Sequence, residues 1–166
     1  MEMRTIRAVS LVGLAALTIG CQATGSTKDT VGLDRAKMEP LYRSAKAIES
    51  SVGVSVNYSK LSELLQNLNL ELSIAKDKQL RPDERALVDA YAEAVPVYKD
   101  SLALWGLKIE KGRILSSYGQ AEELAQKYNI KHEATTTIDA DLGMQIIWAK
   151  AGEAVAKGNA IYARQQ

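Results

Sequence analysis

Phenylalanine is missing from this 166-residue chain, and cysteine and histidine occur once each. A single cysteine excludes an intramolecular disulfide. A single histidine, His132, excludes a zinc site built from several His and Cys ligands. It equally excludes the paired Glu-x-x-His motifs of a di-metal helical bundle. Net charge is nearly absent, with 21 Lys+Arg against 20 Asp+Glu. That argues against a nucleic-acid protein held by a basic face or tail. There is no GxSxG, no GxxxxGK[ST] or GxGxxG phosphate loop and no CxxCH haem attachment. Two-residue alternation is missing over any long span, so no strand reading competes. No 20–50-residue repeat points to a solenoid.

What is present begins with an address. Arg4 and Arg7 give a positive start, and Ala8 to Ile19 carry no charge. A secretory signal has this form: a basic segment, an apolar run of roughly 7–15 residues, then small residues at the cut. A membrane-spanning helix needs about 20 mostly apolar residues, so a permanent anchor helix is the weaker reading. The run stops at Gly20 and Cys21, followed by a polar stretch.

Leu17-Thr18-Ile19-Gly20-Cys21 resembles the lipobox of bacterial lipoproteins, with Thr18 where Leu is usual. The resemblance covers residues 1–21 only. It implies removal of residues 1–20, cleavage between Gly20 and Cys21, and lipid on Cys21. One acyl chain gives marginal membrane binding, at about 0.8 kcal/mol per buried methylene, whereas two or three hold a domain firmly. Gln22, where Asp would resemble an inner-membrane retention signal, favours an outer membrane facing the periplasm. In a Gram-positive host the same anchor leaves the domain outside the cell. Loss of Glu2, Arg4 and Arg7 with the signal leaves 19 charges of each sign.

Residues 21–32 then read as the lipidated Cys21 and a flexible tether rich in Gly, Ser and Thr. The 11 residues after Cys21 reach at most ~35–40 Å. Residues 33–166 read as an all-α domain: four main helices packed up-down-up-down, with an extra short helix between the third and the last. Met38, Leu41, Ala45, Ile48 and Val52 form the first apolar stripe, with Asp34 placed to cap it and Pro40 in conflict with a straight start. Leu61, Leu64, Leu65, Leu68, Leu72 and Ala75 form the second, over about 59–77. The third helix is predicted over Pro82–Lys111, with Leu87, Tyr91, Ala94, Tyr98, Leu102, Trp105 and Ile109 inward and a kink at Pro96. Residues 116–130 read as a shorter helix ending near Asn129. The last, over about 137–164, is opened by Thr136–Asp139 and carries Met144, Trp148, Ala151, Val155, Gly158 and Tyr162. Its small residues Ala151, Gly152 and Gly158 let a neighbouring helix come close.

No catalytic, cofactor-binding or metal-binding residue is assigned. His132 falls in a polar loop. Asp89, Glu93 and Asp100 share one side of the third helix and read as a solvated face. The leading expectation is a lipid-anchored, non-enzymatic scaffold or binding module that meets an envelope protein and no nucleic acid. The alternative is a carrier of a small lipid or haem-like ligand held between helices near Trp105 or Trp148. An enzyme gathering His132 with carboxylates is the remote third. Protein extracted from bacterial membranes is expected to have the mass of residues 21–166 plus acyl chains, lost in Cys21→Ala. An unacylated chain in the soluble fraction overturns the lipoprotein reading.

Overall fold

The computed structural model describes residues 32–115, 117–132 and 137–164. Contacts divide the chain into Met1–Thr30 and Val31–Gln166, and all the described helices belong to the second unit. The signal, Gly20, Cys21 and the tether up to residue 31 lie outside the described residues.

Five helices follow one another: α1 (Arg35–Val54), α2 (Tyr58–Lys76), α3 (Pro82–Lys111), α4 (Gly119–Tyr128) and α5 (Ala140–Ala163). Among the described residues the protein is all-helical; the one strand-like feature is a single antiparallel bridge, Leu115 to Thr137. The starts of α1, α2, α3 and α5 each have a local cause. Asp34 accepts the Lys37 N–H and Asn57 accepts the Lys60 N–H, satisfying donors that have no partner within the helix. Pro82 sits in the first turn of α3, where its missing N–H costs nothing. Asn129 ends α4 in the left-handed region at φ 51°.

Several boundaries differ from the sequence expectation. The last helix starts at Ala140, because Asp139 is its cap and accepts from the N–H groups of Asp141 and Leu142. Ile138, expected inside that helix, instead donates its N–H to the Ile114 carbonyl. The short helix starts at Gly119, three residues late. Pro40 and Pro96 both lie inside continuous helices, and both are exposed, so each ring faces solvent.

The apolar stripes of α1 and α2 are buried as expected, Val52 only partly. On α3 the inward face shifts after Tyr98. Ser101 and Leu104 are fully buried, Leu102 and Trp105 are half-buried, and Ile109 is 62% exposed. The reason lies in the helix lengths. At 30 residues α3 is about 45 Å long, against about 30 Å for α1, at ~1.5 Å per residue.

Packing divides accordingly into two clusters. One joins α1, α2, the first half of α3 and the second half of α5. The other joins Leu104, Ile114, α4, Ile130, Ile138 and the first half of α5. Trp105, Trp148 and Val97 touch both. The α3–α5 contact is the most extensive, and α1–α2, α2–α3 and α1–α5 also pack.

Gly158 sets how closely α3 and α5 approach. A Cβ there would lie 2.2 Å from the Tyr91 ring, an impossible contact. Gly143, unnoticed in the sequence, does the same against Leu104 at 2.8 Å. Gly152, expected to do so, has nothing within 4 Å of a Cβ. Gly158→Ala is therefore expected to lose about 1–3 kcal/mol through overpacking. Gly152→Ala, meeting open space in a helix, should be neutral or gain up to ~1 kcal/mol. Urea unfolding of the two variants checks this; equal midpoints would refute the close-approach role of Gly158.

Candidate functional site

The two ends of the domain differ in chemistry. At one end the starts of α1 and α3 meet the ends of α2 and α5. Its centre is Glu84, a carboxylate with no exposed surface. Burial costs a carboxylate unless hydrogen bonds and a counter-charge replace water. Here the Lys37 ammonium lies 2.6 Å from Oε2. The Arg81 N–H donates to Oε2 at 3.0 Å, and the Asp34 N–H donates to Oε1 at 3.1 Å. Lys37 also reaches the Gln79 carbonyl at 2.5 Å. Burial alone pushes the Glu84 pKa up; Lys37 and the two N–H donors outweigh it and hold the group below its ordinary value.

The same end fixes where the chain joins the domain. Arg81 donates from Nη1 to the Gly32 carbonyl at 3.0 Å, and Leu33 is buried in the core. Tyr162, in the last turn of α5, stacks on Tyr42 with ring centroids 4.0 Å apart. The Arg35 guanidinium lies 4.8 Å from its ring and donates to its carbonyl at 2.7 Å. The Tyr162 hydroxyl donates to Glu39. Burial and that bond push its pKa up to about 12. One turn away, Tyr91 donates to Asn159 Oδ1 at 2.9 Å, and Asn159 donates to Glu49 at 3.2 Å. These polar contacts tie α1, α3 and α5.

At the opposite end, Tyr58, Trp105 and Trp148 form an aromatic ladder. Tyr58 meets Trp105 edge-on at 5.9 Å, and Trp105 meets Trp148 at 5.9 Å. Trp148 donates from Nε1 to the buried Ser101 hydroxyl at 3.0 Å, which donates on to the Tyr98 carbonyl. Above the ladder, large apolar side chains reach solvent. Ile109 is one turn beyond Trp105. Lys108 pairs with Asp141 at 2.6 Å, which brings the neighbouring Ile109 and Leu142 to the same α3–α5 junction. The Leu115–Thr137 bridge places Leu115 beside the start of α5. Val54, Leu115 and Leu142 are exposed, as is the rim of Tyr58. Scattered exposed apolar residues are ordinary, as Leu70 and Ile74 on α2 are; five of the seven exposed large ones stand at this end.

The residues singled out in the sequence come apart in space. His132 is exposed, with Nδ1 3.1 Å from the Ile130 carbonyl. Asp100 pairs with Lys127 at 2.7 Å and accepts from the Tyr128 hydroxyl at 2.6 Å. Glu93 pairs with Lys157 at 3.1 Å instead. Asp89, Glu93 and Lys157 line a groove of ≈ 500 Å³ between α3 and α5. Among the described residues no group of three His, Cys, Asp or Glu side chains is placed to hold a metal. Trp105 and Trp148 pack on each other, and a cleft of ≈ 280 Å³ opens beside Trp148 against Val52 and Tyr98. A larger groove of ≈ 650 Å³ has Val97, Ile146 and Ala149 among its lining residues. No helix among the described residues is long and apolar enough to cross a membrane.

Sequence reasoning missed the role of Glu84, although a signal existed: Glu at the third position of a helix commonly reaches back to the cap N–H. Only that half of the exchange forms, since the Arg81 side chain has no acceptor. No family model, curated protein or solved structure matches this chain. A carboxylate whose folded pKa is lowered stabilises fully above its unfolded pKa and loses that contribution as pH falls through the folded value. Wild-type stability should therefore drop below about pH 4.5. Glu84→Gln should cost about 2–4 kcal/mol at pH 7, less than a fully buried pair because Lys37 retains some access to water. Unfolding curves from pH 7 to pH 3 check both; a variant falling as steeply as wild type removes Glu84 as the cause.

Proposed function

We propose that this protein is a lipid-anchored module of a bacterial cell envelope, non-enzymatic, which docks an envelope protein through the apolar end of its helices. In this reading Cys21 carries the lipid, the outer membrane facing the periplasm is the site, and the helices form an up-down-up-down four-helix bundle. The short helix α4 covers one side of the overhanging end of α3.

The observation that carries the reading is where most of the exposed large apolar side chains stand, Leu70 and Ile74 on α2 being the two elsewhere. Tyr58, Ile109, Leu115 and Leu142 gather at the end opposite the one where Gly32 joins the domain. In this reading the chain joins the domain at the Gly32 end, so the apolar end is the one its attachment does not occupy. Apolar side chains over an aromatic layer are what the centre of a protein interface is made of. Glu84, Asp100 and Glu39 are each engaged in contacts between or within helices, which suits a structural role for these three carboxylates.

A photo-crosslinking residue at position 109, expressed in the bacterial envelope, is expected to give one discrete adduct. The adduct should vanish with Leu142→Glu, whose stability should stay within about 0.5 kcal/mol of wild type. The same residue at exposed Lys99 should give none. Absence of an adduct at 109, or identical adducts at 109 and 99, overturns the docking reading.

A further inference from the structure

We infer that the end of the domain bearing Gly32 is a docking face for the anionic headgroups of the bilayer in which the anchor sits, through Lys76, Lys78, Arg85 and Arg164. The inference rests on the lipid-anchored reading, because the anchor is what brings this face to a membrane.

Four observations converge. First, the four cations come from three separate elements that meet at one end. Lys76 is the last residue of α2, Lys78 lies just beyond it, Arg85 is in the first turn of α3 and Arg164 caps the end of α5. Second, all four are exposed and make no ion pair or side-chain hydrogen bond among the described residues. At the opposite end Lys60, Lys108 and Lys111 each pair with a carboxylate, whereas Arg113 is exposed there with no such contact among the described residues.

Third, the acids of this end are largely spent. Asp34 caps α1, Glu39 accepts from Tyr162 and Arg43, Glu84 is buried on Lys37, and Asp83 has a partner. Asp77 and Asp89 stand beside the cations without one, Asp89 lining the same groove as Arg164, so two such acids face four such cations. The unpaired charge is therefore positive, although the whole chain is nearly neutral. Fourth, Gly32 is held at this end by Arg81, so this end is where the chain that carries Cys21 is joined to the domain. A tether of 11 residues cannot carry the face beyond ~35–40 Å from Cys21. Each Lys or Arg near an anionic surface adds attraction that fades within a Debye length, ~8 Å at physiological salt. Affinity is supplied by the lipid; the cations hold the domain end-on and present the apolar end outward.

The test uses the full chain purified from bacterial membranes, with Gln79→Cys labelled by a fluorophore and a second sample labelled at Ile109→Cys. Intact mass states whether Cys21 is acylated, independently of any quenching result. Each sample is placed in phosphatidylcholine vesicles with a headgroup nitroxide quencher, with or without roughly one quarter phosphatidylglycerol. Quenching at position 79 is expected to exceed that at 109 severalfold with phosphatidylglycerol, and to fall in ~0.5 M salt. It should fall equally in the variant Lys76→Gln, Lys78→Gln, Arg85→Gln, Arg164→Gln, which touches no internal contact. An acylated protein quenched alike at both positions, or alike in both lipids, overturns the inference and leaves the anchor standing. If the chain is unacylated, the anchor fails. Co-sedimentation with phosphatidylglycerol vesicles that the variant loses then still supports the cationic face, and no co-sedimentation ends both.

Discussion

Tyr91 seated on Gly158 brings α3 and α5 together, and the rest of the domain is arranged along that pair. The two helices share the most extensive contact, and each contributes to both apolar clusters. Their first shared half is covered by α1 and α2. Their second half runs past the end of α1, and there α4, Ile130 and Ile138 cover one side only. Tyr58, the first residue of α2, closes over Trp105, and nothing in α1 or α2 continues beyond it. Ile109 is left bare because α3, at 30 residues, exceeds α1 at 20 and α2 at 19 by about ten residues, not because of any polar demand at that position.

The opposite end has no such mismatch. There α1, α2, α3 and α5 finish together, and the contacts are polar and specific. Glu84 gathers Lys37 with two backbone donors, and Arg35 and Tyr42 flank Tyr162. A buried carboxylate adds little net stability, since desolvation offsets much of the attraction. What it adds is a single geometry: the first turn of α1 can bond Glu84 only in one register against the first turn of α3. Apolar packing between parallel ridges permits sliding by a turn, and a fixed acceptor does not.

The helices themselves were legible because burial repeats at helical spacing. Met38, Leu41, Ala45 and Ile48 are all inside, as are the six stripe residues of α2. What failed were positions decided by partners. Ile109 continues the α3 stripe perfectly well as a pattern, but no neighbour reaches it. Gly152 and Gly143 are both small residues on α5, and only the packing shows that Gly143 faces Leu104 while Gly152 faces open space. Ile138 has the look of a helix start, yet its N–H is claimed by Ile114. The candidate site was less legible still, because a contact surface has no motif. Its signal is an apolar residue left uncovered, and coverage is a property of the neighbours.

The two ends bear on each other if Cys21 carries lipid. With α3 about 45 Å long and at most ~35–40 Å of chain between Cys21 and the domain, there is room for either end to reach the bilayer. The apolar end would then compete for the membrane, since Ile109, Leu142 and Tyr58 suit an acyl boundary as well as they suit a protein. Discrimination between these occupants needs a second force. Unpaired cations around the point where the chain joins supply it, because they lower the energy of one end-on orientation without adding apolar area there. In that arrangement the charge serves to keep the apolar end away from the lipid and available for a partner.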